Sequence, residues 1–159
     1  MSWLPTMLEE DKRQIDAALQ DLITQSESEF VLLAGDGFII SQFGKPVSAK
    51  VDELAALASN CFLAHQSLGL LVGEEGLTSI YQEGKTISFY AESVDEHNIL
   101  LVFFRPPTNV GAVKYYAGPA KKLIAAQFKT ASERAPGEGM DPIVLNLSDS
   151  TQLFKQKQE

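Results

Sequence analysis

Residues 99–104 read ILLVFF, with no polar member. Successive side chains of a strand point to opposite faces, so a half-exposed strand alternates apolar with polar. A run that is apolar at every position needs cover on both faces, which places it at the centre of a sheet carrying helices on each side. Residues 30–34, FVLLA, read as a second short buried strand. The rest of the chain has to supply the partner strands and the helices.

Leu8, Ile15, Leu19, Leu22 and Ile23 recur at helical spacing over 7–25, with acidic residues in the first turn where they suit the helix dipole. Gly35-Asp36-Gly37 is a tight turn, and residues 38–42 return antiparallel to 30–34. Ser48 is the expected N-cap of a helix over 51–68, VDELAALASNCFLAHQSL. Its expected core face is Leu54, Leu57, Ala58, Cys61, Ala64 and Leu68, widened by Ala55 and Phe62. The opposite strip mixes Glu53, Asn60 and Ser67 with Ala56 and Leu63, where a surface helix would be polar. Such a helix has something packed on both sides, and in a chain this short the second covering is expected to be another chain. Residues 69–76 close the helix, with a last turn through Leu70, Leu71 and Val72.

Strands are expected over 77–82 and 86–91 around a Glu83-Gly84 hairpin turn, followed by a polar loop over 94–97. Arg105-Pro106-Pro107 ends the central strand, and Thr108 or Asn109 caps a helix running to about residue 130, kinked at Gly118-Pro119. Beyond it, ERAPGEGMDP is a linker by composition. Residues 143–147 could add an edge strand, and Ser148 could cap a short helix through Lys155. The fold class is α/β in the α+β sense: a five-stranded, mostly antiparallel sheet in the order α-β-β-α-β-β-β-α, with helices on both faces. One domain spans 1–131, and 132–159 form a linker and C-terminal extension.

The net charge of −8 weighs against nucleic acid and against anionic membrane surfaces, which both want basic patches. The single cysteine allows no internal disulfide and fits a reduced, cytoplasmic setting. The acidic N-terminus does not read as a signal peptide, and no window is expected to hold the ~20 apolar residues of a membrane span.

Cys61 and His65 stand four apart on one helix face, the spacing at which a thiolate and an imidazole could start a nucleophile site. No third orienting group is near in sequence, and Cys61 reads better as a small buried apolar residue. His97, in a loop, adds no metal-ligand spacing. The phosphate-loop pattern Gly-x-x-x-x-Gly-Lys-Ser/Thr does not occur. Arg105, on a proline-stiffened loop, has the character of an arginine finger, but a solvated strand-end arginine is the better reading. Arg13 and Arg134 have no expected site, and Glu74 and Glu75 read as a solvated turn. Of Tyr115 and Tyr116, at least one should face the core. Residues 141–154, DPIVLNLSDSTQLF, could bind a partner or fold back on the domain.

The hairpin FVLLAGDGFIIS at 30–41, the central helix running into LGLLVGEEGL at 68–77, and ILLVFFRPPTNVGAVK at 99–114 together resemble the Roadblock family of the dynein light chain type. GEE at 73–75, QEGK at 82–85, NVGAVK at 109–114 and the C-terminal extension are most similar to its MglB-like bacterial members, regulators of Ras-like GTPases. Phe62 and the Gly118-Pro119 pair depart from that pattern. The resemblance implies a homodimer whose sheets join edge to edge and whose central helices lie side by side, with an MglA-like small GTPase docked on the helix face. It implies GTPase contacts at Ala56, Ser59, Asn60, Leu63 and Ser67, and dimer contacts at Leu77, Ser79 and Tyr81. It implies GTPase activation in cell polarity or motility without a catalytic residue, cofactor or metal of the chain's own. A dimerisation scaffold that recruits a GTPase without changing hydrolysis is the alternative.

Overall fold

The computed structural model describes residues 4–134 of the chain. Its elements are α1 (Glu9–Ser26), β1 (Phe30–Gly35), β2 (Phe38–Gly44), α2 (Val51–Leu71), β3 (Ser79–Gln82), β4 (Ser88–Ser93), β5 (Asn98–Phe104) and α3 (Val110–Glu133). The strands form one sheet in the order β2-β1-β5-β4-β3, antiparallel at every pairing. This is the expected element order and fold class.

The ILLVFF run is the middle strand, and all of β5 is buried. Its side chains alternate between two cores, as the two-residue period of a strand requires. Leu100, Val102 and Phe104 join Val31 and Leu33 beneath α1 and α3, packing with Ile15, Leu19, Val113, Ile124 and Phe128. Ile99, Leu101 and Phe103 join Phe30 and Leu32 on the other face, beneath Ala55 and Phe62 of α2.

Turn chemistry sets the first hairpin. Asp36 (φ 48°) and Gly37 (φ 86°) are both left-handed, the pairing that matches the twist of antiparallel strands. The second hairpin differs from expectation. β3 ends at Gln82 and β4 starts at Ser88, so residues 83–87 form the loop rather than Glu83-Gly84 alone. Gly84 donates its N–H to Ser88 Oγ (3.1 Å), and a side chain at Gly84 would strike the Ile87 carbonyl, so the chain folds on itself before β4 starts.

Two helix expectations are corrected. Lys50, not Ser48, holds the N-cap position of α2 and makes no side-chain cap; Ser48 Oγ instead accepts from Lys50 N (3.1 Å), closing the turn that leads in. As expected, Pro119 lies inside α3, which starts from its Asn109 cap, whose side chain accepts from Ala112 N. Pro119 lies on the exposed side, where the carbonyl that loses its donor can be hydrated. The second correction concerns the face of α2. Only Ala55, Phe62 and Gly69 are buried, a line seven residues apart, whereas Leu57 (67 %) and Leu68 (60 %) are exposed, as is Ala64. Residues 54–58 are apolar in succession, so their spacing does not fix which side meets the sheet. Phe62, a departure in sequence, is the side chain that fills the gap over β1 and β5.

By length and composition α2 is long and apolar enough to cross a bilayer, which corrects the expectation that no segment is. In the fold it is a layer on the sheet, opened by Asp52 and Glu53 and interrupted by Asn60, His65 and Gln66.

Arg134, given no place from sequence, ties the end of α3 to the start of α1. Its guanidinium donates to both oxygens of the buried Asp11 (2.8 and 2.9 Å). The same carboxylate accepts from Gln127 Nε2 and Leu8 N, both at 2.7 Å. These donors, Arg134 first, hold the Asp11 carboxyl far below the usual aspartate range against the opposing effect of burial. α3 itself ends at Glu133, close to the end expected at about residue 130. The extension expected over 132–159, with its edge strand at 143–147 and helix at 148–155, lies outside the described residues from 135 onward.

Candidate partner-binding cleft

At one end of the sheet, α2 meets the tips of two hairpins. The β1–β2 turn brings Asp36, Gly37 and Phe38, and the β4–β5 loop brings Asp95, Glu96 and His97. Between them and α2 lies a cleft of about 370 Å³, walled on the helix side by Ala56, Ser59, Asn60 and Leu63. Four of the five residues implied as GTPase contacts are thus gathered in one place. The fifth, Ser67, is exposed one turn on, its hydroxyl donating to the Leu63 carbonyl (3.1 Å).

The walls are held by backbone as much as by side chains. Asp36 N donates to the His97 carbonyl (3.0 Å), and His97 Nδ1 lies 3.4 Å from Asp36 Oδ1, so the two tips are tied together. Asp95 Oδ1 accepts from the backbone N–H of His97 (2.8 Å) and Asn98 (2.9 Å), which stiffens the second tip. A Cβ on Gly37 would stand 3.6 Å from Ala56 Cα, so small residues on both sides let the first tip touch the helix. The buried Phe62 and Ile99 form the floor, while Phe38 (73 %) and Leu63 (58 %) stand exposed at the rim. Ser59 Oγ is buried with no hydrogen-bond partner. The mouth is acidic, through Asp36, Asp95 and Glu96. Nothing in the local pattern announces the hairpin tips as part of this site. They arrive because Gly35 pairs with Asn98 across β1 and β5.

Beside the cleft, Leu57, Leu68, Leu70 and Leu71 add an exposed apolar surface along α2. β3 is an edge strand that pairs with β4 alone among the described strands. Ser79 and Tyr81 lie on it, the Tyr81 ring stacked on Phe104 (6.1 Å between centroids). Leu77 falls just before the strand, against Gly69 of α2.

The other candidates resolve chemically. His65 Nδ1 lies 2.8 Å from the Cys61 carbonyl and 3.6 Å from Cys61 Sγ. A ring nitrogen that close to a carbonyl carries the proton, so it cannot take one from the thiol. Arg105 pairs with Glu29 and donates to the Thr86 carbonyl (3.3 Å), at the end of β5 opposite the cleft. Tyr116 packs on the α1–α3 core and Tyr115 is exposed. No cluster of three metal-ligating side chains occurs among the described residues.

The gliding protein MglB of Thermus thermophilus superposes with a TM-score of 0.75 at 21 % identity, over 82 % of this chain and 100 % of that one. MglB of Myxococcus xanthus gives 0.74 at 25 % identity over 82 % and 98 %. An MglB with a tetrameric arrangement gives 0.76 at 21 % identity over 82 % and 99 %. A sequence search of curated proteins finds no match. The sequence model of the Roadblock/LC7 domain matches residues 24–104, just over half of the chain, from the last turn of α1 to the end of β5. With the sheet order, the two cores and this match together, the chain belongs to the Roadblock/LC7 domain family.

Proposed function

We propose that this chain is a homodimeric, cytoplasmic regulator of an MglA-like small Ras-like GTPase in cell polarity or motility, and that it stimulates GTP hydrolysis by its partner. It contributes no reacting group, cofactor or metal of its own. The observation that carries the reading is the outward face of α2. Leu57, Leu63, Leu68 and Leu71 are all more than half exposed on a helix whose other side already meets the sheet. Apolar surface of this extent on a small domain marks an interaction site. The likeness to MglB structures, one of them named as a gliding protein, supports the motility assignment.

Two copies joined through β3 would extend the sheet at Ser79 and Tyr81 and bring the two α2 helices together. The GTPase would then bind across α2, with Leu63 and Phe38 as apolar anchors and the acidic mouth setting orientation.

The test is multiple-turnover GTP hydrolysis by the cognate GTPase with increasing amounts of this protein. Stimulation should saturate near two chains per GTPase. Leu63→Arg should weaken binding at least about tenfold, roughly 1.4 kcal/mol, with an unchanged circular dichroism spectrum because Leu63 supports no core. Normal stimulation by Leu63→Arg would remove the cleft from the contact surface. Binding without a change in rate would make the protein a recruiting scaffold.

A further inference from the structure

We propose that the chain's own C-terminal segment, residues 143–157, seats in the cleft between α2 and the two hairpin tips and has to be displaced by a partner. The inference rests on the reading of that cleft as the partner site, and it concerns how access to the site is regulated.

Three observations lead to it. The first is where the chain leaves the described fold. Asp95 and His97 line the cleft on one side, and with Asn98 they line a second depression against Phe128, Lys129 and Ser132 of α3 on the other. The end of α3 is thus one loop away from the cleft, and Arg134 is pinned there by Asp11. From Arg134 to Ile143 is nine residues (143 − 134), a reach of about 30 Å at ~3.3 Å each. That suffices to pass around the edge of a single loop.

The second is chemical fit. The segment carries Ile143, Val144, Leu145 and Leu147, then Leu153-Phe154 followed by Lys155 and Lys157. The cleft has apolar walls at Phe38 and Leu63 and carboxylates of Asp36, Asp95 and Glu96 at its mouth. An apolar pair followed by two lysines matches an apolar slot with an acidic rim. Ser59 Oγ, buried and unpartnered at the wall, could be satisfied by a backbone group of an entering strand or helix.

The third is size. At about 370 Å³ the cleft is near the lower end of the ~300–1,000 Å³ typical of ligand pockets, room for a few side chains of one segment. A tethered segment needs only weak affinity to fill it, because a short tether gives an effective concentration on the order of millimolar.

The test uses the full chain with Cys61→Ala, carrying Asn60→Cys in the cleft wall and Phe154→Cys in the segment. A control carries Gln20→Cys on exposed α1 in place of Asn60→Cys. Mild oxidation should give a cross-link within one chain for the first pair, at least fivefold more than for the control. No excess over the control would overturn the proposal. Cross-links found only between chains would overturn it too, and would give the cleft to a second copy. Independently, Leu153→Asp/Phe154→Asp in the full chain should raise hydrogen exchange at residues 36–38 and 95–97, and unchanged exchange there would count against seating. The same variant should bind the GTPase severalfold more tightly. If the cross-link and the exchange change appear but GTPase affinity does not move, the segment keeps its seat and the assignment of the cleft to the GTPase fails.

Discussion

Asp11 shows how far one side chain can depend on distant parts of the chain. Its carboxylate is buried with four donors from Leu8, Gln127 and Arg134, which lie at opposite ends of the described fold. Removing one member of a buried pair strands the other, so Asp11→Ala should cost about 2–4 kcal/mol in urea unfolding. The pH dependence follows from the direction of the shift. A carboxyl whose folded pKa lies far below its unfolded value contributes its stability fully above about pH 4, and loses it as pH falls toward the folded value. Urea titrations from about pH 5 down to about pH 2 should therefore show falling stability in the wild type and a flatter profile in Asp11→Ala. An equal slope in both would mean that the pair carries no such linkage. In sequence, Asp11 reads only as one of several acids in a first turn. Nothing local distinguishes it from Glu9 or Glu10, because its partner Arg134 lies beyond α3.

At the scale of the element, α2 is where period and packing part company. A stretch that is apolar all round satisfies several helical phases at once, and the sheet selects one of them. The selection falls on small Ala55, which lets the helix approach, and on Phe62, which fills the space beside it; Gly69 is buried against Glu74 and Leu77 instead. Phe62→Ala should thus cost about 3–5 kcal/mol. Leu57→Ser should change protomer stability by less than about 0.5 kcal/mol, although the sequence pattern places Leu57 in the core. Chemical denaturation of both variants at several protein concentrations separates the effects. A concentration-dependent loss in Leu57→Ser would report association through α2 rather than folding. The hairpins tell the opposite story. At Asp36-Gly37 the turn residues dictate the geometry directly, whereas the Glu83-Gly84 pair opens a longer loop because Ser88 captures the Gly84 N–H.

Among the described residues of the whole molecule, the outer edge of β3 and one side of α2 stay uncovered. The proposed homodimer would cover that edge and bring the two α2 helices side by side. In that proposed dimer Tyr81→Asp would place like charges across the joined β3 edges and should weaken self-association at least about tenfold, roughly 1.4 kcal/mol, by analytical ultracentrifugation. The protomer would lose only the stack on Phe104, about 1 kcal/mol. A variant that stays dimeric would send the interface to α2 alone.

By itself the sequence determined the element order, the central place of residues 99–104, the first hairpin and a helix cap at Thr108 or Asn109. Each of these rests on a local rule: a two-residue period, a positive-φ turn, or a side chain that reaches an amide three residues on. The tertiary structure alone decided which side of α2 meets the sheet, which loops join Ala56, Ser59, Asn60 and Leu63 in a cleft, and what Asp11 is paired with. Those outcomes depend on which distant segments the β1–β5 pairing and the α1–α3 packing bring together, and a hydrophobic pattern carries no information about the identity of its neighbour.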